Sequence, residues 1–114
     1  MMECRTGVYV MQVAASLTDM HPQTLRKYER AGFLTPLRSG TLRMYSDEDI
    51  DRLRTIKHLV DKKGLNLAGV ELALKLRGRI LEMKDELSIS GIDQRLEKQL
   101  KGLLDEILEM IISK

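Results

Sequence analysis

Pro22-Gln23-Thr24-Leu25-Arg26-Lys27-Tyr28-Glu29-Arg30-Ala31-Gly32-Phe33-Leu34 is the stretch from which the rest of the chain can be laid out. A proline at the head of this run suits the first turn of a helix, where its missing N–H would have had no partner. Gly32 stands where a left-handed residue commonly stops a helix. The pattern predicts a helix from about Pro22 to Ala31, with His21 as an N-cap of a type not favoured there. Leu25 and Tyr28 form a narrow inward stripe, and Gln23, Thr24, Arg26, Lys27 and Arg30 occupy the remaining faces.

Upstream, Val10, Val13, Ala14 and Leu17 fall at i, i+3, i+4 and i+7, which predicts a short helix of about two turns. Thr18-Asp19-Met20 interrupts it. Two short helices joined by about four residues have helix-turn-helix spacing. Downstream, Leu34 to Tyr45 holds two β-compatible runs around Ser39-Gly40, which predicts a small hairpin, or wing. Ser46 with Asp49 is a capping box opening a third helix, with Ile50, Leu53, Ile56 and Val60 inward, to about Lys63 and Gly64. Asn66 can cap a fourth helix carrying Leu67, Val70, Leu74, Ile80 and Leu81, which Gly69 and Gly78 weaken locally.

After a break at Ser88-Ile89-Ser90-Gly91, the segment from about Ile92 to Ile112 places Leu96, Leu100, Leu103, Ile107 and Met110 at spacings of 4, 3, 4 and 3. That is a heptad seam, widened by Leu104 and Ile111. It has no obvious full-length partner within the chain, so dimerisation through these five residues is expected. The alternative is that the helix folds back on the third and fourth helices.

The chain has 114 residues, enough for one modest core. Aromatic residues are only 4%, and a core of Leu, Ile, Val, Ala and Met favours a mainly α fold. The longest uncharged stretch, Thr6 to Thr18, contains Gly7, Gln12 and Ser16 and reads as a buried element, so neither a membrane span nor a signal peptide is expected. The single cysteine, Cys4, has no intrachain partner, and a reducing cytoplasmic setting follows. Net charge is +2, but the distribution tells more. Arg26 to Arg43 holds five bases against one acid, and Glu82 to Lys114 holds five bases against eight acids. One end is suited to an anion and the other is not.

A helix fits the DNA major groove, and side chains near its N-terminal half reach base edges. Gln23, Thr24 and Arg26 are so placed. Lys27 and Arg30 lie further along, where phosphate contact is expected, and the Tyr28 hydroxyl could reach a phosphate. Arg38 and Arg43 flank the hairpin turn, positioned for the DNA backbone. Tyr45 can pack beneath the hairpin or direct its hydroxyl to DNA. The bland reading of all these residues is a solvated helix and a charged loop. No catalytic constellation stands out: His21 and His58 lie in no triad or metal-ligand spacing, Cys4 has no second cysteine or nearby histidine, and no glycine-rich phosphate loop is present. No enzyme activity, cofactor or metal is expected.

At Pro22 to Leu34, then Arg43-Met44-Tyr45, Ser46-Asp47-Glu48-Asp49-Ile50 and Leu53, the sequence resembles the MerR family of transcription regulators, over about residues 8–80. Val8-Tyr9-Val10, Met20 to Arg26 and Gly64 to Val70 are similar to its heat-shock repressor branch; residues beyond about 82 match less well. The resemblance implies a winged helix-turn-helix, a second helix pair and an antiparallel coiled-coil dimerisation helix. It also implies a repressor of chaperone genes, with the DnaK chaperone as corepressor. Metal-sensing relatives carry cysteines around the dimer helix, and drug-sensing relatives add a large C-terminal ligand domain; neither feature is expected here.

The expected organisation is therefore a DNA-binding domain over 1–80, and a linker with a dimerisation helix over 81–114. The expected partners are double-stranded DNA bearing an inverted repeat, a second copy of the chain and DnaK, with no membrane. Two alternatives stay open: an activator that distorts its promoter, and a helical adaptor that binds proteins through the seam.

Overall fold

A computed structural model describes residues 8–112; Cys4 lies outside the described residues. In chain order the elements are β1 (Val8–Val10), α1 (Met11–Thr18), α2 (Pro22–Arg30), β2 (Leu37–Ser39), β3 (Leu42–Ser46), α3 (Asp47–Asp61), α4 (Leu67–Ile89) and α5 (Gln94–Ile112). The fold is mainly α, as expected, and contains the wing. The chain divides into two compact units, one up to Lys57 and one from His58 onward. Helix α3 carries the chain from one into the other.

In the first unit, local signals set the element ends. The α1 helix stops at Asp19, whose φ of 56° is left-handed. The Asp19 and Met20 amides donate back to Ser16 O and Ala15 O at 3.2 and 3.0 Å. The α2 helix ends the same way through Gly32 at φ 84°. Gly32 N–H bonds Glu29 O and Phe33 N–H bonds Tyr28 O, both at 3.0 Å. The Phe33 ring stacks on Tyr28 with centroids 6.0 Å apart, the apolar contact that accompanies this kind of helix stop. The Ser46 capping box forms as expected: Asp49 N–H donates to Ser46 Oγ at 3.1 Å, and Ser46 N–H donates to Asp49 Oδ2 at 2.9 Å.

The hairpin belongs to a three-stranded antiparallel sheet of order β1-β3-β2. Its loop is Gly40-Thr41, one residue later than expected, with Gly40 at φ 64° as the first loop position of a tight hairpin requires. Tyr9 pairs with Tyr45, and Arg38 with Arg43. Alternation therefore sends Tyr9, Arg38, Arg43 and Tyr45 to one face, and Val8, Val10, Leu37, Leu42 and Met44 to the other. Strand β1 is a departure from the sequence reading, in which Val10 opened the first helix.

The core of this unit comprises Ala14, Leu25, Tyr28, Phe33, Leu34, Tyr45, Ile50, Leu53 and Ile56. Burying a side chain such as Leu25 or Leu53 contributes about 1.5–3 kcal/mol each. Helix α1 turns Ala14, Ala15 and Thr18 inward and leaves Val13 and Leu17 exposed, which corrects the expected face. Two cations of α3 reach the carbonyls at the end of α1: Arg54 donates to Leu17 O at 3.2 Å, and Lys57 donates to Asp19 O at 3.3 Å. Positive charge is favourable there because helix carbonyls are left unpaired at that end.

In the second unit Asn66 caps α4, accepting from Gly69 N–H at 2.9 Å. Val70, Ala73, Leu74 and Ile80 are buried, whereas Leu67 is exposed. On α3, Leu59 is buried in place of the expected Val60, which is half-buried. Helix α5 folds back along α4, joined by Lys84 Nζ to Asp105 Oδ1 at 2.5 Å and by the Lys101 ammonium on Ser88 Oγ. No helix among the described residues is long and apolar enough to cross a membrane.

Candidate nucleic-acid interface

Helix α2 presents the cationic face. Its N-terminus is fixed by His21, which accepts from Gln23 N–H through Nδ1 at 3.0 Å. An unusual cap therefore satisfies one orphan amide of the helix. Of the residues expected to meet DNA, Gln23, Lys27 and Arg30 are exposed on α2, and Thr24 and Arg26 are half-buried. Lys27 Nζ lies 5.9 Å from the Tyr28 ring centroid. That aromatic face gives the ammonium a preferred resting place near the helix.

Two of the expected contacts are core residues. Tyr45 is fully buried, and Tyr28 is 5% exposed. Tyr45 shares the covered face of β3 with Arg43, two residues before it, and alternates with Met44 and Ser46 on the other. Burial pushes its phenol above the usual value, and the Glu29 carboxylate adds to the shift. Its role is packing, and this corrects its assignment as a DNA contact. The Tyr28 ring supports the helix from beneath and stacks on Phe33.

The wing arginines are partnered. Arg38 Nη2 donates to Glu29 Oε2 at 2.6 Å, and Arg43 Nε donates to Glu29 Oε1 at 2.7 Å. One carboxylate on α2 thus holds both cations of the hairpin. Sequence reasoning counted Glu29 merely as the one acid in a basic stretch. The signal that could have found it is the pairing of Arg38 with Arg43, which a Gly40-Thr41 loop dictates.

The proposed seam lies on α5, none of whose described residues is buried. Leu96 (45%), Leu103 (53%), Ile107 (46%) and Met110 (75%) are exposed. Leu100 is half-buried and, with Met83, Leu87, Leu103 and Leu104, lines an open groove of about 460 Å³ between α4 and α5. Among the described residues no three of His, Cys, Asp and Glu cluster in a way that could hold a metal ion.

Comparison with known proteins bears on what such a surface is for. Residues 9–76 match the family model described as MerR HTH family regulatory protein. The chain belongs to the MerR family. The chain is also similar to the putative heat shock protein HspR of Streptomyces coelicolor, 44% identical over 80 residues, or 69% of this chain and 53% of the relative. The transcriptional regulator GlnR of Bacillus anthracis is 32% identical over 61% of this chain and 54% of its own. The transcriptional regulator MlrA of Escherichia coli K12 is 39% identical over 60% of this chain and 28% of its own. The chain thus spans about half the length of HspR and GlnR, and less of MlrA. No solved structure matches it. The MerR match spans both α2 and the wing, so the cationic surface and the Glu29 pairing lie within the family region.

Proposed function

We propose that the chain is a sequence-specific DNA-binding repressor of heat-shock or chaperone genes, acting as a homodimer on an inverted repeat. The observation that carries the reading is the exposed cationic face of α2 beside the paired arginines of the wing, within a MerR domain similar to HspR. Gln23, Thr24 and Arg26 sit near the head of α2, where side chains meet base edges; Arg26 can give two parallel donors to a guanine. Lys27, Arg30, Arg38 and Arg43 take phosphates, which fix register without reading sequence. Residues 1–80 serve DNA, and 81–114 serve as linker and dimer helix through Leu96, Leu100, Leu103, Ile107 and Met110. DnaK acts as corepressor in this reading, on the strength of the family resemblance.

The test is selection of fragments bound by the purified chain from its source genome. Recovery of promoters of chaperone operons, sharing an inverted repeat, is expected. Recovery of transporter or oxidative-stress promoters would overturn the heat-shock assignment while leaving DNA binding intact. Adding DnaK to the recovered promoter is expected to tighten binding.

A further inference from the structure

The wing sets two like charges against each other. Arg38 and Arg43 are direct cross-strand partners, so both side chains leave the same face of the hairpin. Like charges directly opposite on a strand pair destabilise it, and a two-residue loop leaves no slack for the pair to slide apart. Glu29, in the last turn of α2 (Pro22–Arg30), resolves the conflict. Its two carboxylate oxygens each accept from one arginine, at 2.6 and 2.7 Å. The Glu29 side chain is 17% exposed, against 54% for Arg38 and 27% for Arg43. The carboxylate is therefore the sheltered member and the guanidinium groups are the accessible ones. Each arginine gives Glu29 a single N–H, Arg38 from Nη2 and Arg43 from Nε. A guanidinium has five donors in a rigid fork, so most remain uncommitted to Glu29.

We propose that Glu29 is a positioning residue for DNA binding: from the helix that enters the groove it holds Arg38 and Arg43 of the wing as a fixed pair, each guanidinium braced from behind and open to a phosphate. This rests on the DNA-binding reading above and adds a coupling between helix and wing. Without the brace, two long, mutually repelling side chains must be ordered at the moment of binding, at an entropic cost. The brace also gives a reason for an acid standing among Arg26, Lys27 and Arg30. Simple Coulomb repulsion between Glu29 and a polyanion argues for the opposite outcome, so the sign of a single substitution separates the two.

The experiment uses the full chain and two probes: a duplex recovered in the genomic selection and a random-sequence duplex of equal length. Glu29→Gln keeps the size and one acceptor oxygen but loses the charge that holds both arginines. It is expected to weaken binding to the recovered duplex about tenfold. The slope of log affinity against log salt is expected to become shallower by up to about two units, one for each phosphate lost. Placed in an Arg38→Ala/Arg43→Ala background, the same substitution is expected to change nothing, which a merely structural role of Glu29 would not produce. Equal or tighter binding by Glu29→Gln overturns the proposal, as does an equal loss in the double-alanine background. If Glu29→Gln unfolds at the assay temperature, Glu29→Asp decides the matter: it keeps the charge at shorter reach, so weaker binding supports the brace and unchanged binding overturns it. A selection that recovers no duplex, with no salt-dependent binding of the random one, defeats the DNA-binding reading itself, before any substitution is made.

Discussion

Tyr45 carries a hydroxyl into a fully buried site, where it has no hydrogen-bond partner among the described residues. A buried hydroxyl left unpaired is a cost, and deleting it together with its need for a partner can be neutral or stabilising. Tyr45→Phe is therefore expected to keep or raise stability, by up to about 1 kcal/mol. Burial raises the Tyr45 phenol above 10.0. A raised acid of this kind contributes stability that is whole below pH 10, the unfolded value, and is lost as pH climbs through the folded one. The stability gap between Tyr45→Phe and the parent should thus widen above about pH 10. Urea unfolding at neutral pH and again at alkaline pH measures both effects. A variant less stable by more than about 1 kcal/mol at neutral pH would mean that the hydroxyl is satisfied after all. Because the ring is buried, DNA affinity should not change, and a clear loss would restore Tyr45 as a phosphate contact.

At the scale of elements, the turn between α1 and α2 depends on Asp19, which holds a left-handed conformation that glycine usually supplies. A side chain there costs about 1 kcal/mol, somewhat less for a short polar one. Asp19→Gly removes that strain and keeps the backbone carbonyl that Lys57 bonds. It is expected to raise Tm by a few degrees, after allowing for the greater freedom of glycine in the unfolded chain. A lower Tm in a thermal melt would show that the Asp19 carboxylate does more than occupy the turn. The elements themselves differ in how far the sequence disclosed them. Helix α2, the Ser46 capping box and the Asn66 cap were legible because each signal lies within a few residues of its effect. Strand β1 was not, since its three residues pair with Met44 to Ser46, far along the chain. The inward face of α1 was placed wrongly because hydropathy ranks Val13 and Leu17 above Ala15 and Thr18. In the fold the small residues are buried, and Thr18 joins them because its hydroxyl donates to Ala14 O at 2.8 Å. In the candidate interface, exposed cations were legible from residue type. The pairing of Glu29 with both wing arginines was not, because it depends on strand register, whereas Tyr28 already stood in the inward stripe of α2 and Tyr45 had packing beneath the hairpin as one of its readings.

For the molecule as a whole, the apolar residues along α5 form a surface that the single chain leaves uncovered. Leu96, Leu103, Ile107 and Met110 are all exposed on a helix that has no buried residue of its own, although α4 runs beside it. Large apolar side chains repeating in a heptad at such exposure usually mark an interface rather than a solvated face. If a second copy covers them, two α2 helices can lie about 34 Å apart on one face of a duplex, as a two-fold protein on an inverted repeat requires. Leu103→Lys with Ile107→Lys puts two charges at the middle of that seam, where desolvating them is unfavourable. The double variant is expected to sediment as a monomer at micromolar concentration, with the helix content of the parent by circular dichroism. Its affinity for a duplex carrying both half-sites should fall to about that for a single half-site, since the second binding event is no longer intramolecular. Single half-site binding should persist, because α2 and the wing are untouched. A parent chain that is itself monomeric at that concentration, or a variant that still binds paired half-sites cooperatively, would place the dimer contact elsewhere and leave the exposed face of α5 for a different partner.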